Sequence, residues 1–369
     1  MASEINKAAA NVYYENYGIK PLGDIKEING KKLPDYDVLC AGFPCQAFSK
    51  AGTQQGFGDP RGTLFYEIIR LLNEKTISKR PKILILENVK NLITHDSGRT
   101  WKTIKHSLNQ CGYNVVEKPI VIGPKDLGIP QIRDRAIILA VKKSIYSKRI
   151  NLKIEQRKNN TTSIYDVVNN KITKKEKNQY TLSEEQLSVL ECWDEFYKGI
   201  KEKVIGFPIW SDEFGEEYDV SIYPEWKQNF INKNRLLYKN NKAFIDSWLI
   251  KWNIRERFTP TNRKFEWQAG SDMHSIYDGI IQFRPSGVRV KRPTEAPTLV
   301  AMNHRPIIGK YKRFITLKEA TKLQCFPDDF VFNERESEAY KQLGNAVNVS
   351  VIEYVFRVFI DYLEKEMRD

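Results

Sequence analysis

The chain has 369 residues, 41% of them hydrophobic and 28% charged, the balance of an ordinary globular protein long enough to bury a core and carry a second lobe. Its formal net charge of +13 and sequence pI near 9.3 point to a polyanionic partner, of which nucleic acid is the commonest. There is no apolar run of about 18 residues and no apolar signal core in MASEINKAAA. A membrane partner is therefore not expected, and the chain reads as cytoplasmic. Five cysteines, Cys40, Cys45, Cys111, Cys192 and Cys325, are scattered without a CxxC pair, so neither a disulfide framework nor a metal site is expected.

Residues 5–17 are helical in composition and end at Gly18, a C-cap. Glu4 precedes them, either as a carboxylate able to accept from ribose hydroxyls or as an acid favoured at a helix N-terminus. Asp24, in the turn Gly23-Asp24-Ile25, either reaches an adenine amino group or is a solvated turn residue. Asp37 to Cys40 is a short apolar run that reads as a buried strand. Ala41-Gly42-Phe43-Pro44 breaks it, and Pro44 fixes φ and removes a donor. Cys45 is thereby presented at the carboxyl end of a strand, where open α/β sheets place ligands. Residues 49–62 (SKAGTQQGFGDPRG) carry four glycines and suit a lid or an ordinary exposed loop. Thr63 to Asn73 is amphipathic at helical spacing.

Lys82 to Leu86 is an apolar run fit for a parallel sheet buried on both faces. Glu87 follows it, and a carboxylate after such a run is costly unless it is paired or useful. A helix near 99–111 and a strand near 113–122 come next. Gln131, Arg133 and Arg135 then alternate, which places them on one side as the strand through Ala136–Val141 begins. From about 142 the composition changes: residues 142–180 hold eleven Lys/Arg against three Asp/Glu. Residues 183–203 read as an amphipathic helix. Trp226, Trp248, Trp252 and Trp267 read mostly as the core of a second lobe. Around the Pro-Ser-Gly turn of 280–292, Arg284, Arg289, Lys291 and Arg292 suit phosphate or guanine contacts, or a charged surface hairpin. Ile315 to Leu323 is helical, and Gly344-Asn345-Ala346-Val347 precedes a strongly apolar closing helix.

In order, GFPCQAFS (42–49), ENV (87–89), QIRDR (131–135), RPTEAPTLVA (292–301) and QLGNAV (342–347) resemble the blocks of the cytosine-C5 DNA methyltransferase family. The resemblance covers roughly 1–141 and 292–369. It implies an α/β fold with a Rossmann-like S-adenosylmethionine-dependent methyltransferase sheet and a smaller target-recognition domain. The catalytic domain would be 1–141, the recognition domain 142–291, and 292–369 would return to the catalytic domain. The resemblance assigns catalysis to Cys45, Glu87, Arg133 and Arg135: the thiolate attacks cytosine C6, Glu87 holds N3 and the exocyclic amine, Arg135 bonds O2, and Arg133 supports the site. For S-adenosylmethionine it points to Glu4, Ile5, Asp24, Ile25, Pro44, Leu64 and Asn345. For double-stranded DNA it adds Gln46, Arg61 and Thr298 to Arg284 and Arg289.

Members of the family begin with a strand and a glycine-rich loop that this sequence does not show, so the sheet is expected to be N-terminally incomplete. Further strands would come from outside these residues or from another polypeptide. The family context implies a bacterial cytoplasm and a cognate restriction endonuclease. The alternatives are a DNA-binding remnant or one part of a split methyltransferase. An RNA methyltransferase of the same fold is disfavoured by the large basic region 142–291.

Overall fold

The computed structural model describes residues 1–43, 63–155, 162–168, 171–203, 205–299 and 305–368. Helix α1 (Lys7–Tyr17) starts at Asn6, whose side chain accepts from Ala9 N, and stops at Gly18 with φ 65°, the left-handed cap that glycine adopts without a Cβ penalty. Strand β1 (Val38–Gly42), helix α2 (Thr63–Glu74) and strand β2 (Ile83–Val89) follow. Helix α3 (Arg99–Gln110) leads into β3 (Tyr113–Val115), β4 (Ile120–Ile122) and β5 (Arg135–Lys142). The single strand expected near 113–122 is thus two, separated around Pro119, which has no N–H for a ladder.

Within the described residues the first sheet runs β1-β2-β5-β3, with β4 also on β5. β1 and β2 are parallel, but β5 is antiparallel to β2, β3 and β4. The expectation of a parallel setting for the Lys82–Leu86 run therefore holds on one side only. Burial on both faces is as expected: Ile83, Leu84, Ile85 and Leu86 are all buried, each contributing about 1.5–3 kcal/mol. Phe65, Ile68 and Leu72 of α2, Ile104 and Leu108 of α3, and the closing helix complete this core. That closing helix is α12 (Val349–Arg368). Among the described residues it lies in the one stretch long and apolar enough to cross a membrane. Its Val351, Val355, Phe359 and Leu363 recur every four residues and are buried in the core, as in an amphipathic core helix.

The second lobe opens with short helices α4 (Ile164–Val167) and α5 (Lys174–Tyr180) and the longer α6 (Glu184–Gly199). Then come β6 (Ile209–Trp210), α7 (Glu225–Asn240), α8 (Lys242–Trp252), α9 (Ile254–Arg257), β7 (Lys264–Gln268), β8 (Ile280–Arg284) and β9 (Gly287–Lys291). Strands β10 (Ile307–Ile308) and β11 (Arg313–Phe314) extend the same sheet, whose order is β11-β10-β8-β9-β7-β6. The chain beyond 292 therefore contributes to the second sheet before helices α10 (Leu317–Leu323) and α11 (Glu336–Asn345) lead into α12. Trp193, stacked 5.0 Å from Phe265, and Trp248 form the aromatic centre of this lobe. Trp248 and Trp267 are buried, whereas Trp226 is 60% exposed.

Candidate active site

Register brings the expected groups to one edge of the first sheet. The parallel pairing sets Glu87 opposite Gly42, and the antiparallel pairing sets Val89 opposite Arg135. The end of β1, the end of β2 and the start of β5 therefore converge. Gly42 has no side chain to hold the carboxylate away: a Cβ there would lie 3.2 Å from Glu87 Oε2. Arg135 Nε sits 2.8 Å from Glu87 Oε1, with both side chains less than a fifth exposed. Burial pushes the Glu87 carboxyl above its ordinary range, against the opposing pull of Arg135 and Arg133. Glu87 is thus a carboxyl shifted upward by burial and held in orientation by a guanidinium.

Asn88 was not singled out in the sequence. It is 2% exposed; its Nδ2 donates to the Phe43 carbonyl at 2.7 Å, and its Oδ1 accepts from Val89 N at 2.8 Å. This amide bolts β2 to the residue two before Cys45. The signal was present in the ENV triplet, as an amide next to an acid at the end of an apolar run. Pro44, Cys45, Gln46, Arg61 and the 49–62 stretch lie outside the described residues.

Arg133 departs from the expected strand pattern. Regular pairing begins only at Arg135, and Gln131 makes a lone bridge to Ala296. Arg133 is 3% exposed. It donates from Nη1 to Leu299 O at 3.2 Å, and from Nη2 to Gly344 O at 2.9 Å and Ala346 O at 2.5 Å. Burial, with Arg135 beside it, brings its pKa down to about 10. Thr298, expected on phosphate, donates its hydroxyl to Ile132 O at 2.6 Å. With Ile132 N bonded to Ala296 O at 2.8 Å, the 296–299 segment is stitched to the approach to β5.

Against β1 lies a cavity of about 620 Å³, lined among others by Glu4, Ile5, Asp24, Ile25, Leu64 and Phe43. Every cofactor position expected among the described residues except Asn345 lines it. Asn345 lines a smaller space of about 300 Å³ that shares Glu4 with the larger one. Ser3 Oγ donates to Gly23 O at 2.7 Å, and Leu22 N to Ala2 O at 2.9 Å, so the N-terminal strap is pinned as one wall. Both acids also serve local structure: Glu4 accepts from Asn6 N at 2.8 Å and Asp24 from Lys26 N at 2.9 Å. Two carboxylates over an apolar floor, in a space of small-molecule size, fit a nucleoside-bearing ligand such as S-adenosylmethionine.

In the second lobe, one of the two expected DNA contacts is committed elsewhere. Arg289 is paired with Glu266 on the neighbouring strand, Nη2 to Oε2 at 2.5 Å. Arg284 has one guanidinium nitrogen, Nη1, buried without a partner. Their hairpin turns at Pro285-Ser286, because Arg284 pairs with Gly287. Gly287 has φ 119°, and a Cβ there would lie 2.4 Å from Lys264 O, so the turn needs glycine.

A mixed α/β sheet with a carboxylate and a guanidinium at its strand ends, beside a nucleoside-sized cavity, fits a protein that binds a nucleoside-bearing cofactor. The family profile of C-5 cytosine-specific DNA methylases matches residues 1–361, and the chain belongs to that family of S-adenosylmethionine-dependent enzymes. It is 30% identical over 454 aligned residues to the type II methyltransferase M.AluI of Cellulosimicrobium cellulans, covering 96% of this chain and 86% of that protein. It is 33% identical over 401 residues to M.BanI of Aneurinibacillus aneurinilyticus, covering 96% and 87%. Over 138 residues it is 49% identical to M.HaeII of Haemophilus aegyptius, covering 37% of this chain and 42% of that one. Among solved structures, the Entamoeba histolytica methyltransferase EhMeth superposes with a TM-score of 0.51 at 16% identity, over 100% of this chain and 90% of that one. The S. pombe Dnmt2 methyltransferase gives 0.51 at 16%, over 98% and 90%. These two likenesses bear on the fold.

Proposed function

We propose that the chain methylates C5 of cytosine within a specific double-stranded DNA sequence through a covalent adduct at Cys45. The observation that supports this most directly is the Glu87–Arg135 pair, set opposite Gly42 and three residues short of Cys45 in the chain. Cytosine C5 is a weak nucleophile. Addition of the Cys45 thiolate to C6 pushes the ring electron pair to C5, and Glu87, at the ends of β1 and β2, hydrogen-bonds N3 and offsets the charge that gathers on the ring. Arg135 orients Glu87 and faces the base O2. When bound, S-adenosylmethionine supplies the electrophilic methyl group that C5 takes; Glu4, Ile5, Asp24, Ile25 and Leu64 would hold it, with Asn345 and Pro44 at the margins. Loss of the C5 proton and expulsion of Cys45 restore the aromatic ring. A base stacked in a duplex cannot reach these groups, so it is flipped out.

The second lobe carries sequence recognition through Arg284 and Arg289, and Gln46 and Arg61 of the first lobe together with Thr298 of the segment after 292 complete the proposed DNA contacts. The relatives' type II designation favours a cognate restriction endonuclease and a bacterial cytoplasm. One observation favours a second reading, in which the working enzyme includes further strands. Among the described residues β1 pairs on one side only, and its Cys40 and Gly42 are exposed beside the cavity. Such an edge accepts another strand, from a longer chain or a second polypeptide. Covalent trapping on 5-fluorocytosine DNA with S-adenosylmethionine tests the main reading. The adduct is expected with the native chain and lost in Cys45→Ser, while salt-sensitive DNA binding persists. Trapping by Cys45→Ser would refute it. An adduct that forms only when a segment pairing with β1 is supplied would select the second reading.

A further inference from the structure

We propose that Arg133 is a positioning residue that couples the base-binding end of β5 to the Asn345 turn on the cofactor side. This rests on the reading of Glu87, Arg135 and Asn345 above. Two arginines stand two residues apart on the approach to β5 and have divided their work. Arg135 pairs with Glu87. Arg133 spends its hydrogen bonds on main-chain carbonyls, of which Gly344 O and Ala346 O straddle Asn345.

Asn345 is the last residue of α11, and the carbonyls at a helix C-terminus lack intrahelical partners and carry the negative end of its dipole. A planar guanidinium can bridge two of them and still reach Leu299 O, which a single ammonium cannot match. Burying a charge on carbonyls is costly, yet Arg133 is only 3% exposed. What it secures is geometry. Arg135, Arg133 and the 344–346 turn become one rigid body, so the Glu87–Arg135 pair cannot shift relative to Asn345 and the small space it shares with Glu4.

Arg133→Lys in the full chain tests this, with steady-state methyl transfer, S-adenosylmethionine binding by calorimetry, DNA binding and thermal unfolding measured together. The expected result is a fold and DNA affinity close to native, a kcat lower by about 100-fold, the scale of a misplacement of roughly 1 Å, and a cofactor KM raised about tenfold. Arg135→Lys should lower kcat with the cofactor KM nearly unchanged, because it touches the base side alone. Ala346→Gly loosens the far end of the strut without disturbing the buried charge, and should raise the cofactor KM in the same sense; it decides the matter if Arg133→Lys does not fold. A folded Arg133→Lys that loses only thermal stability, with kcat and cofactor KM within about twofold of native, overturns the proposal. If the native chain binds S-adenosylmethionine but transfers no methyl group, the catalytic reading fails on its own. The calorimetric comparison then decides the coupling: weaker binding by Arg133→Lys upholds it and equal binding overturns it. A native chain that binds no S-adenosylmethionine overturns both.

Discussion

Replacing Asn88 by Asp isolates one hydrogen bond of the site. The aspartate keeps the oxygen that accepts from Val89 N but cannot donate to the Phe43 carbonyl, which the native amide meets at 2.7 Å. The residue is 2% exposed, so water does not replace the lost donor freely. Removing that buried amide donor costs about 1–3 kcal/mol, and two oxygens facing each other add repulsion. The larger effect should be kinetic, because Phe43 is two residues from Cys45 and a shift of about 1 Å at a nucleophile costs about 100-fold in rate. In methyl transfer from labelled S-adenosylmethionine, Asn88→Asp should lose kcat on that scale with its DNA dissociation constant unchanged. Asn88→Ala, which loses both bonds, should lose at least as much and unfold at a lower temperature. An Asn88→Asp enzyme with native kcat would show that the Phe43 carbonyl does not set the position of Cys45.

Glu87 is held above its ordinary pKa by burial, so the folded state binds its proton more tightly than the unfolded chain. Activity that depends on that proton should fall as pH rises through the raised value, and stability should be lost over the same interval; Glu87→Gln should flatten the alkaline limb of the remaining rate and of the unfolding curve. Arg313 and Glu319 form a buried bidentate pair in the second lobe, Nη2 to Oε1 at 2.7 Å. Arg313→Met alone should cost about 3–5 kcal/mol and the double change Arg313→Met, Glu319→Leu much less, as read by chemical denaturation. Trp193→Ala, emptying a fully buried position at the centre of the aromatic cluster, should cost about 3–5 kcal/mol, whereas Trp226→Ala at a 60% exposed site should stay within about 0.5 kcal/mol. Arg284→Ala should reduce the slope of log affinity against log salt by about one unit if that guanidinium meets a phosphate.

The first lobe was legible because apolar strand runs end abruptly in Gly, Pro or a carboxylate, and those punctuation marks are where the chemistry sits. Glu87 could be placed at a strand end from its neighbours alone. Pairing direction could not, since a strand buried on both faces reads the same whether its neighbour is parallel or antiparallel; β5 illustrates this. Arg133 shows a related limit. Its alternation with Arg135 is local, whereas the carbonyls it bonds lie 211 and 213 residues away, beyond any local pattern. Arg289 showed its charge in the sequence but not Glu266, which sits on another strand and partly neutralises it.

The antiparallel setting of β5 has a chemical consequence. In a parallel β2–β5 pair the start of β5 would lie at the opposite edge of the sheet from the end of β2, and Arg135 would be several residues, at about 3.3 Å each, from Glu87. Reversing one strand brings the first residue of β5 beside the last residues of β2, where Val89 faces Arg135. An acid and the cation that orients it thus come from positions 48 residues apart in the chain without a loop entering the sheet. Both are anchored in ladders whose neighbouring side chains are buried, which holds a site more precisely than loops do. The same geometry explains why the coupling to Asn345 starts at Arg133: it lies just before the incoming antiparallel strand, outside the β5 ladders, and reaches across to α11. Moving the start of β5 two residues earlier would draw Arg133 into the sheet and leave the 344–346 carbonyls without their cation.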